Sequence, residues 1–525
     1  MTRERPPFER VLVANRGEIA VRIISSCHES GMVAIAVYSD ADADSRHVRL
    51  ADVAVRIGPA APAESYLRID AIVEAALATG AQAIHPGYGF LSERASFARG
   101  VEDAGLVFVG PPSAVIDALG DKVHARRVAR SVGVDAVPGT LEPAPVDRPD
   151  AVDGIVEEAE RIGFPVMVKA AAGGGGRGMR LVATALDLPA ALAAGSAEAL
   201  AAFGDGSVYI ERVIRPARHV EVQLLGDATG RVVAIGERDC SLQRRHQKLV
   251  EEAPAPGLSA GERRELHGRA VRIATAAGLQ NAATAEFLRE PDGQTWFLEV
   301  NTRLQVEHGV TELVSGLDIV AEQFRLAAGR PLSDAALGVA DRAADPVGHA
   351  IEVRLAAEDP SRDFAPGPGR IRRWVMPEGP GVRVDSGVRE GDRVAPEYDN
   401  LLAKVMIHAG DRPAAIDRLR RALDETEIAG IQTTLPFDRF VARHRDFAAQ
   451  EMSTDWVDAT WDGPAERARV VEEAATAAAA AAAVAASAAA RPAIPPGSGD
   501  SSPGSDGASG WAAGARADAV DRWPR

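Results

Sequence analysis

The chain has 525 residues, 46% of them hydrophobic, and a formal net charge of −16. That length suggests three or four domains with sizeable cores, and the acidic balance argues against a general nucleic-acid binder. Two cysteines, Cys27 and Cys240, supply neither a disulfide framework nor metal-ligand spacing, which fits a reducing cytoplasm. Behind Met1-Thr2-Arg3-Glu4-Arg5-Pro6-Pro7 there is no apolar stretch that would make a signal peptide. Of the 59 basic residues only four are lysines: Lys122, Lys169, Lys248 and Lys404. Where so arginine-rich a chain keeps a lysine, a compact point charge is a candidate requirement that a planar guanidinium does not meet.

In chain order, residues 11–14 read as a strand, Asn15-Arg16-Gly17-Glu18 as a turn, and the residues beyond as an apolar-periodic helix. Residues 33–38 are a second buried strand. Residues 82–90 are a strand ending in the glycine-rich loop His85-Pro86-Gly87-Tyr88-Gly89-Phe90, and residues 107–110 are another strand. Strands alternating with helices predict an α/β domain with a doubly wound parallel sheet over residues 1–115. The first turn lacks G-x-G-x-x-G, so no dinucleotide site is expected. Residues 116–135 read as helical and carry Asp121-Lys122.

A small domain is expected over residues 137–210. It holds a strand ending at Lys169, the run Gly173-Gly174-Gly175-Gly176-Arg177-Gly178, and a second strand at 179–182. A P-loop needs Gly-Lys-Ser/Thr opening a helix, which is absent. Consecutive glycines can still turn backbone N–H groups toward phosphates. The run is either a flexible surface loop or a phosphate cover, and Lys169 and Arg177 beside it favour the cover. On a small domain, such a cover describes a lid that excludes water once nucleotide binds.

Residues 208–210 and 218–223 read as strands. Glu237 to Lys248 is too polar for a core strand and reads equally as a solvated loop or a functional segment. Asp292-Gly293 between apolar runs signals a hairpin turn. A hairpin centred there sets Glu286 directly opposite Glu299. Like charges directly opposite are destabilising, so the pair is expected to hold a cation. Oxygen ligands that include Asn301 suit Mg²⁺ bridging phosphates. The alternative is an edge hairpin with two solvated glutamates, against which the apolar neighbours Phe287, Leu288, Phe297 and Leu298 count. If the strand stays extended, Glu299, Asn301, Arg303, Gln305 and Glu307 share one face.

Residues 310–330 read as one helix ending at Gly329, 349–355 as a strand, 370–384 and 388–394 as further antiparallel strands, and 414–423 as a helix. Together they predict a C-terminal α+β domain over residues 331–450. The remainder, 451–525, is expected to be an alanine-rich and disordered tail. Residues 470–491 are mostly alanine with no bulky apolar stripe, and 497–525 are rich in Gly, Pro, Ser and Asp. No Leu or aromatic anchors flank the alanine tract, so no membrane span is expected.

A glycine loop with a lysine, a paired-carboxylate cation site and a lid describe γ-phosphoryl transfer from ATP. That chemistry needs positioning and charge neutralisation more than covalent catalysis. Arg303 can hold a planar anion bidentately, and Glu307 can act as general base. A small oxyanion would then be phosphorylated and used on the spot. At residues 13–22, 85–93, 169–179, 237–256, 299–311 and 349–360, the chain closely resembles biotin carboxylase. That family belongs to the ATP-grasp superfamily and is a component of acyl-CoA carboxylases. The likeness runs over residues 8–450, and several long motifs occur in order.

The resemblance implies an N-terminal preATP-grasp domain over 1–115, an ATP-grasp domain over 116–330 that includes the lid, and ATP-dependent carboxylation of biotin by bicarbonate through carboxyphosphate. Lys122, Lys169, Gly175, Gly176, Glu211, Arg212, Val213, Ile214, His219, Gln243 and His246 match nucleotide-binding positions. Glu286, Glu299 and Asn301 match ligands of Mg²⁺ (or Mn²⁺), with Glu286 also beside the nucleotide. Lys248, Arg303, Gln305 and Val306 match the bicarbonate site, Glu307 the general base, and Arg354 the arginine that stabilises the deprotonated ureido group of biotin. Arg238 and Arg245 read as supporting ion pairs. Gly309 stands where the family commonly has proline, and Ala403 where stand-alone bacterial enzymes often have glycine. Residues 455–461 resemble the chain that follows the carboxylase in fused α chains, and no biotinyl Met-Lys-Met motif follows them. The expected partners are therefore a biotin carboxyl carrier protein in trans, a separate carboxyltransferase and a second copy of the chain, with neither nucleic acid nor membrane. Another ATP-grasp ligase, or a non-catalytic ATP-binding scaffold, would fit fewer of these positions.

Overall fold

The computed structural model describes residues 6–140, 142, 149–170, 179–203 and 205–489. Short aliphatic runs build the first sheet: β1 (Arg10–Val13), β2 (Val33–Ser39), β3 (Val53–Gly58), β4 (Ala83–His85) and β5 (Val107–Phe108). All pair in parallel, in the order β3-β2-β1-β4-β5. Val11 and Val13 pack on one face with the helix Ile319–Ala327, and Leu12 on the other with the helices Ile69–Thr79 and Ala95–Asp103. Strand order reverses direction at β1 and β4, so the loops at their C-terminal ends face one crevice. Asn15 ties those loops together, its Nδ2 donating to the carbonyls of Pro86 and Tyr88 at 2.7 Å each. β3 was not expected. Its first four residues alternate between half-buried and exposed before Ile57 and Gly58 are buried, as in an edge strand without a continuous apolar run.

The small domain is a three-stranded antiparallel sheet of β6 (Val166–Ala170), β7 (Arg180–Val182) and β8 (Val208–Arg212), in the order β7-β6-β8. The helices Pro149–Ile162 and Leu188–Phe203 cover it and close a core of its own around Ile155, Val166, Val168, Leu192 and Ile210. β6 and β7 flank the glycine run, which lies outside the described residues.

The large sheet has eight antiparallel strands. It begins with β9 (Arg218–Gly226), β10 (Val232–Arg244), β11 (Gln247–Ala253), β12 (Asn281–Arg289), β13 (Thr295–Asn301) and β14 (His349–Ala356). The order is β13-β12-β9-β10-β11-β14, followed by the strands Leu401–Ala409 and Val382–Ser386. Here the structure corrects the reading of Glu237 to Lys248: residues up to Arg244 belong to β10, and Glu237 to Gln243 are all buried. The polar side chains are paired rather than solvated. Glu237 lies between Arg263 and His267, at 2.7 Å from each, and Asp239 accepts from Arg218. A buried charge is tolerated when it is paired and hydrogen-bonded.

Two irregularities act on the β12–β13 hairpin. Near the turn Arg289 pairs with Thr295 and Leu288 with Trp296, one residue off the expected register. Gly293, at φ +95°, takes the left-handed position of a three-residue loop. A bulge between Glu286 and Phe287 then restores Glu286 to its place opposite Glu299. The strand ends at Asn301, so the expected extended face does not continue through Glu307.

The single helix expected over 310–330 is two, His308–Ser315 and Ile319–Ala327. Gly316, at φ +74°, ends the first, and Asp318 caps the second by accepting from Ala321 N. Gly309 lets the first helix approach the sheet closely: a Cβ there would lie 2.2 Å from Met406 Sδ.

The C-terminal core extends past the expected boundary at 450. Met452, Trp456 and Val457 are buried in it with Phe437 and Phe447, and Trp461 packs edge-on to Phe437 with ring centroids 5.1 Å apart. Trp461 also donates to Pro360 O at 3.0 Å. The first unit of the chain closes at Pro464. The second holds the rest of the helix Gly463–Ala489, where Arg469 pairs with Glu466 at 2.5 Å. Residues 497–525 lie outside the described residues. Among those that are described, no helix is long and apolar enough to cross a membrane. W461A should destabilise the first unit by about 3 kcal/mol, the cost of deleting a packed indole. A truncation after Pro464 should leave its urea midpoint unchanged.

Candidate active site

The site rests on one row of side chains across four neighbouring strands. Register sets Arg238 on β10 opposite Glu221 on β9, Glu221 opposite Glu286 on β12, and Glu286 opposite Glu299 on β13. Three carboxylates side by side require cations. Arg238, fully buried, donates Nε to Glu221 Oε1 at 2.5 Å and its other nitrogens to Gln223, Thr311, Thr284 and Gln305. Lys248 reaches in from β11. Its Nζ donates to Glu221 Oε2 at 2.5 Å, Glu286 Oε1 at 2.9 Å and Glu307 Oε1 at 2.7 Å. Lys122, at the start of the helix Lys122–Ser131, pairs with Glu299 Oε2 at 2.6 Å.

Beyond Asn301 the chain turns rather than extends, yet it returns side chains to the row. Asn301 and Gln305 both donate their amide nitrogens to Glu286 Oε1 at 2.8 Å. Arg303 turns away, donating to Glu93 Oε2 at 2.9 Å and to Asn301 Oδ1 at 3.2 Å. Val306 contributes its carbonyl, which accepts from Lys404 at 2.8 Å. Glu307 bridges two cations: Oε1 accepts from Lys248 and Oε2 from Arg354 at 2.9 Å. Arg354 is shared with Glu251, to which its Nε donates at 2.6 Å. Glu251 lies directly opposite Glu352 on β14, and both are fully buried. Neither oxygen of Glu352 has a hydrogen-bond partner. Burial pushes both carboxyls up, Glu251 to about 7 and Glu352 well above the usual range.

Burial would raise Glu286 and Glu307 in the same way. For Glu286 the charges of Lys248 and His219 outweigh it, and for Glu307 those of Lys248, Arg354 and Arg238. Both carboxyls are held well below the usual carboxylate range. Burial pulls Lys248 down, but Glu221, Glu286 and Glu307 together raise it well above the ordinary lysine value. Glu307 is thus ionised and free to accept a proton, and its basicity rises only when a substrate draws Lys248 or Arg354 away from it.

The remaining expected residues fall on the lid side. Lys169 on β6 pairs with Glu211 on β8, which also faces Arg126 at 3.4 Å. Arg212 pairs with Glu290 at 2.8 Å and sits over the Trp296 ring at 5.5 Å from its centroid. Val213 donates its backbone N–H to Pro165 O at 3.0 Å, and Ile214 packs with Val137 and Ala217. His219 Nε2 lies 3.1 Å from Glu286 Oε2, and Gln243 Nε2 lies 3.5 Å from the same imidazole. His246 is not part of this cluster. It is exposed at the tip of the β10–β11 turn, where burial of part of its ring and the charges of Lys169 and Arg215 lower its pKa. Gly175 and Gly176 lie outside the described residues. Arg245 pairs with Asp363 at 2.7 Å and takes no part in the site.

Sequence reading missed Glu221, Glu251, Glu352 and Glu93. Glu221 and Glu251 lie in strands whose pairing is non-local, so only the sheet order reveals them. The donor set fits a hard divalent cation. Glu286, Glu299 and the Asn301 amide offer oxygens, and lysines neutralise both carboxylates in this arrangement. The tightest groupings of ligand atoms, His219-Glu221-Glu286 and Glu221-Cys240-Glu307, leave Glu299 out. Lys248 already bonds the carboxylates of both.

Three family models match consecutive segments: the biotin carboxylase N-terminal domain at residues 7–116, the ATP-binding domain of the carbamoyl-phosphate synthase L chain at 121–335, and the biotin carboxylase C-terminal domain at 352–459. One of the subunits of pyruvate carboxylase from Methanothermobacter thermautotrophicus is 44% identical over 89% of this chain and 93% of its own. The biotin-dependent acyl-coenzyme A carboxylase alpha3 subunit of Mycobacterium leprae is 46% identical over 87% of this chain and 75% of its own. Among solved structures, the biotin carboxylase domain dimer of Hydrogenobacter thermophilus 2-oxoglutarate carboxylase, in complex with MgADP, ADP and bicarbonate, superimposes with a TM-score of 0.81. It is 41% identical over 86% of this chain and 97% of its own.

K248M would leave three carboxylates facing one another without their ammonium. In the wild type, Glu286 and Glu307 have folded pKa values below their unfolded ones. Their stabilisation is present above the unfolded carboxylate pKa and is lost as pH falls through the folded values. In K248M the sign reverses, and instability should grow as pH rises. The expected deficit is about 3–5 kcal/mol near neutral pH. Thermal unfolding should therefore show a larger Tm difference between variant and wild type in mildly alkaline than in mildly acidic buffer.

Proposed function

The chain belongs to the biotin carboxylase family, and from that premise we propose that it catalyses the first half-reaction of an acyl-CoA carboxylase: ATP- and bicarbonate-dependent carboxylation of biotin on a separate carrier protein. The observation that carries the reading is Glu307, a desolvated carboxylate held ionised between Lys248 and Arg354 beside an oxygen-only cation set. Family membership makes the protein an ATP-grasp ligase.

In this reading Lys122, Lys169, the Glu211–Ile214 segment, His219, Gln243 and His246 hold ATP, with the glycine run Gly175-Gly176 over its phosphates. Glu286, Glu299 and Asn301 hold Mg²⁺ or Mn²⁺, which supplies charge neutralisation at the phosphates. Lys248, Arg303, Gln305 and the Val306 backbone hold bicarbonate. Glu307 takes the bicarbonate proton. The oxygen so freed attacks the γ-phosphorus, and ADP leaves from carboxyphosphate. Carboxyphosphate then breaks at its C–O bond into CO2 and phosphate, the phosphate takes the ureido N–H proton of biotin, Arg354 stabilises the ureido oxyanion so formed, and the nitrogen adds to CO2. Arg303 must leave Glu93 to serve bicarbonate, a move open to a side chain on a turn.

Carboxylation in trans is supported by the lysines. All four are ion-paired, and the most exposed side chain, Lys122, is only 19% accessible. None offers an amine for biotinylation. The acyl-CoA acceptor is supported by the likeness to the mycobacterial alpha3 subunit, and a homodimer by the dimeric state of the Hydrogenobacter domain. The likeness to a pyruvate carboxylase component favours a 2-oxo acid as the second reading. The carboxyltransferase partner decides between them, so co-purification followed by acceptor assays with acetyl-CoA, propionyl-CoA and pyruvate separates the two.

The purified chain should release ADP in the presence of bicarbonate and free biotin, and much less without either. E286Q and E299Q should each reduce that turnover by about a hundredfold or more, with circular dichroism unchanged. An avidin blot of the isolated chain should be blank. ADP release indifferent to bicarbonate would sink the reading.

A further inference from the structure

Lys404 is the one lysine that the proposed site does not use. It lies on the strand Leu401–Ala409, opposite Arg354 in register, and is fully buried. Its Nζ donates to the Val306 carbonyl at 2.8 Å, with Glu18 Oε2 at 3.4 Å and Asp385 Oδ2 at 3.7 Å. These three groups come from three parts of the chain. Val306 is in the turn that leaves β13, Glu18 is in the helix that follows β1, and Asp385 is on the edge strand Val382–Ser386.

The turn is held by side chains rather than by a hydrogen-bonded ladder. Residues 302–307 belong to no strand or helix. Its fastenings are the Gln305 side chain, the Glu307 carboxylate between Lys248 and Arg354, the buried Leu304, the Arg303 contacts, the backbone pairs His308 N to Gln305 O at 3.3 Å and Val310 N to Glu307 O at 3.4 Å, and His308 Nδ1 at 2.7 Å from Gln305 O; between Gln305 and Glu307, the Val306 carbonyl is held by Lys404. The structure assigns Lys404 as the positioning residue that holds this turn at Val306, between Gln305 and Glu307, from the same face of the sheet as Arg354. The inference rests on the reading of residues 303–307 as the bicarbonate site.

The chemistry explains why a lysine is kept. A single ammonium donor on a straight stem reaches one carbonyl inside a closed space, whereas a guanidinium is a wider fork with five donors to satisfy. The charge is balanced locally. Glu18 and Asp385 flank it, Glu352 faces it from β14, and Arg383 and His308 lie on the far side of Asp385. Burial lowers the lysine pKa, but the carboxylates outweigh burial and leave it raised. Asp385 keeps its own cation, since Arg383 donates to both its oxygens at 2.9 and 2.7 Å. Glu18 Oε2 has no hydrogen bond, and burial pushes Glu18 up to about 7.

That balance sets the experiment. K404M removes the Val306 contact but leaves Glu18 uncompensated, so misfolding could mimic a positioning defect. E18Q/K404M removes both charges and separates the two. Bicarbonate-dependent ADP release should show KM for bicarbonate raised about tenfold in E18Q/K404M, the loss of one charge-assisted hydrogen bond. KM for ATP should stay within about twofold. E18Q alone should keep the wild-type bicarbonate KM. Amide hydrogen exchange should quicken over residues 302–308 in the double variant and in no other sheet-linked segment. Wild-type bicarbonate KM and wild-type exchange in E18Q/K404M would overturn the assignment. A wild-type protein without bicarbonate-dependent turnover would instead overturn the proposed function. The exchange measurement needs no turnover and decides Lys404 by itself.

Discussion

Three glutamates stand in a row across β9, β12 and β13, and the sheet can exist only because cations are threaded among them. Lys248 is the central one, bonded to Glu221, Glu286 and Glu307 at once. A buried carboxylate without a partner would take a proton or expel its strand. With Lys248, Arg238 and Lys122 in place, each carboxylate of the row has a cation beside it. The same arrangement that solves the folding problem leaves a set of carboxylate oxygens whose counter-charges are exchangeable. A divalent cation and a polyphosphate can enter such a set without altering its net balance much. Under the proposed function, the cost of burying like charges and the binding of a metal–nucleotide would be one property of the sheet.

The domains divide this work. The parallel sheet supplies a crevice at β1 and β4 and sends Glu18 and Glu93 toward the turn after β13. The small domain carries its own hydrophobic core, so its shape does not depend on packing against the large sheet. The C-terminal strands deliver Arg354 and Lys404, neighbours in register, to two different carboxylate groups. Arg354 is poised between an ionised Glu307 and a Glu251 whose pKa is pushed up to about 7 by burial, so its positive charge is not fully cancelled on both sides.

What could be read from the sequence was local. The pairing of Glu286 with Glu299 was legible because one turn, Asp292-Gly293, determines it. It survived a register slip only because a bulge reverses the slip. Glu221 was not legible, since β9 reaches β12 across a long stretch of intervening chain. Glu237 to Arg244 was misread because its polarity suggested water, whereas its charges find partners on β9 and on the helix Ala260–Ala276. The break at Gly316 did have a signal, a glycine followed two residues later by an aspartate able to cap a helix. The boundary near 450 failed because Trp456 and Trp461, set in a polar stretch, are core residues of the preceding domain.

The contact between Gly309 and Met406 bears on which side chains the two positions can hold together. A side-chain carbon at 309 would sit 2.2 Å from the thioether sulfur, and Met406 is fully buried with Glu352 opposite it in register. Proline at 309 and methionine at 406 in its present rotamer are therefore mutually exclusive. A side chain at 309 would turn the thioether of Met406 toward another rotamer, so the close approach of the helix His308–Ser315 to the sheet ties the choice of residue at 309 to the conformation at 406.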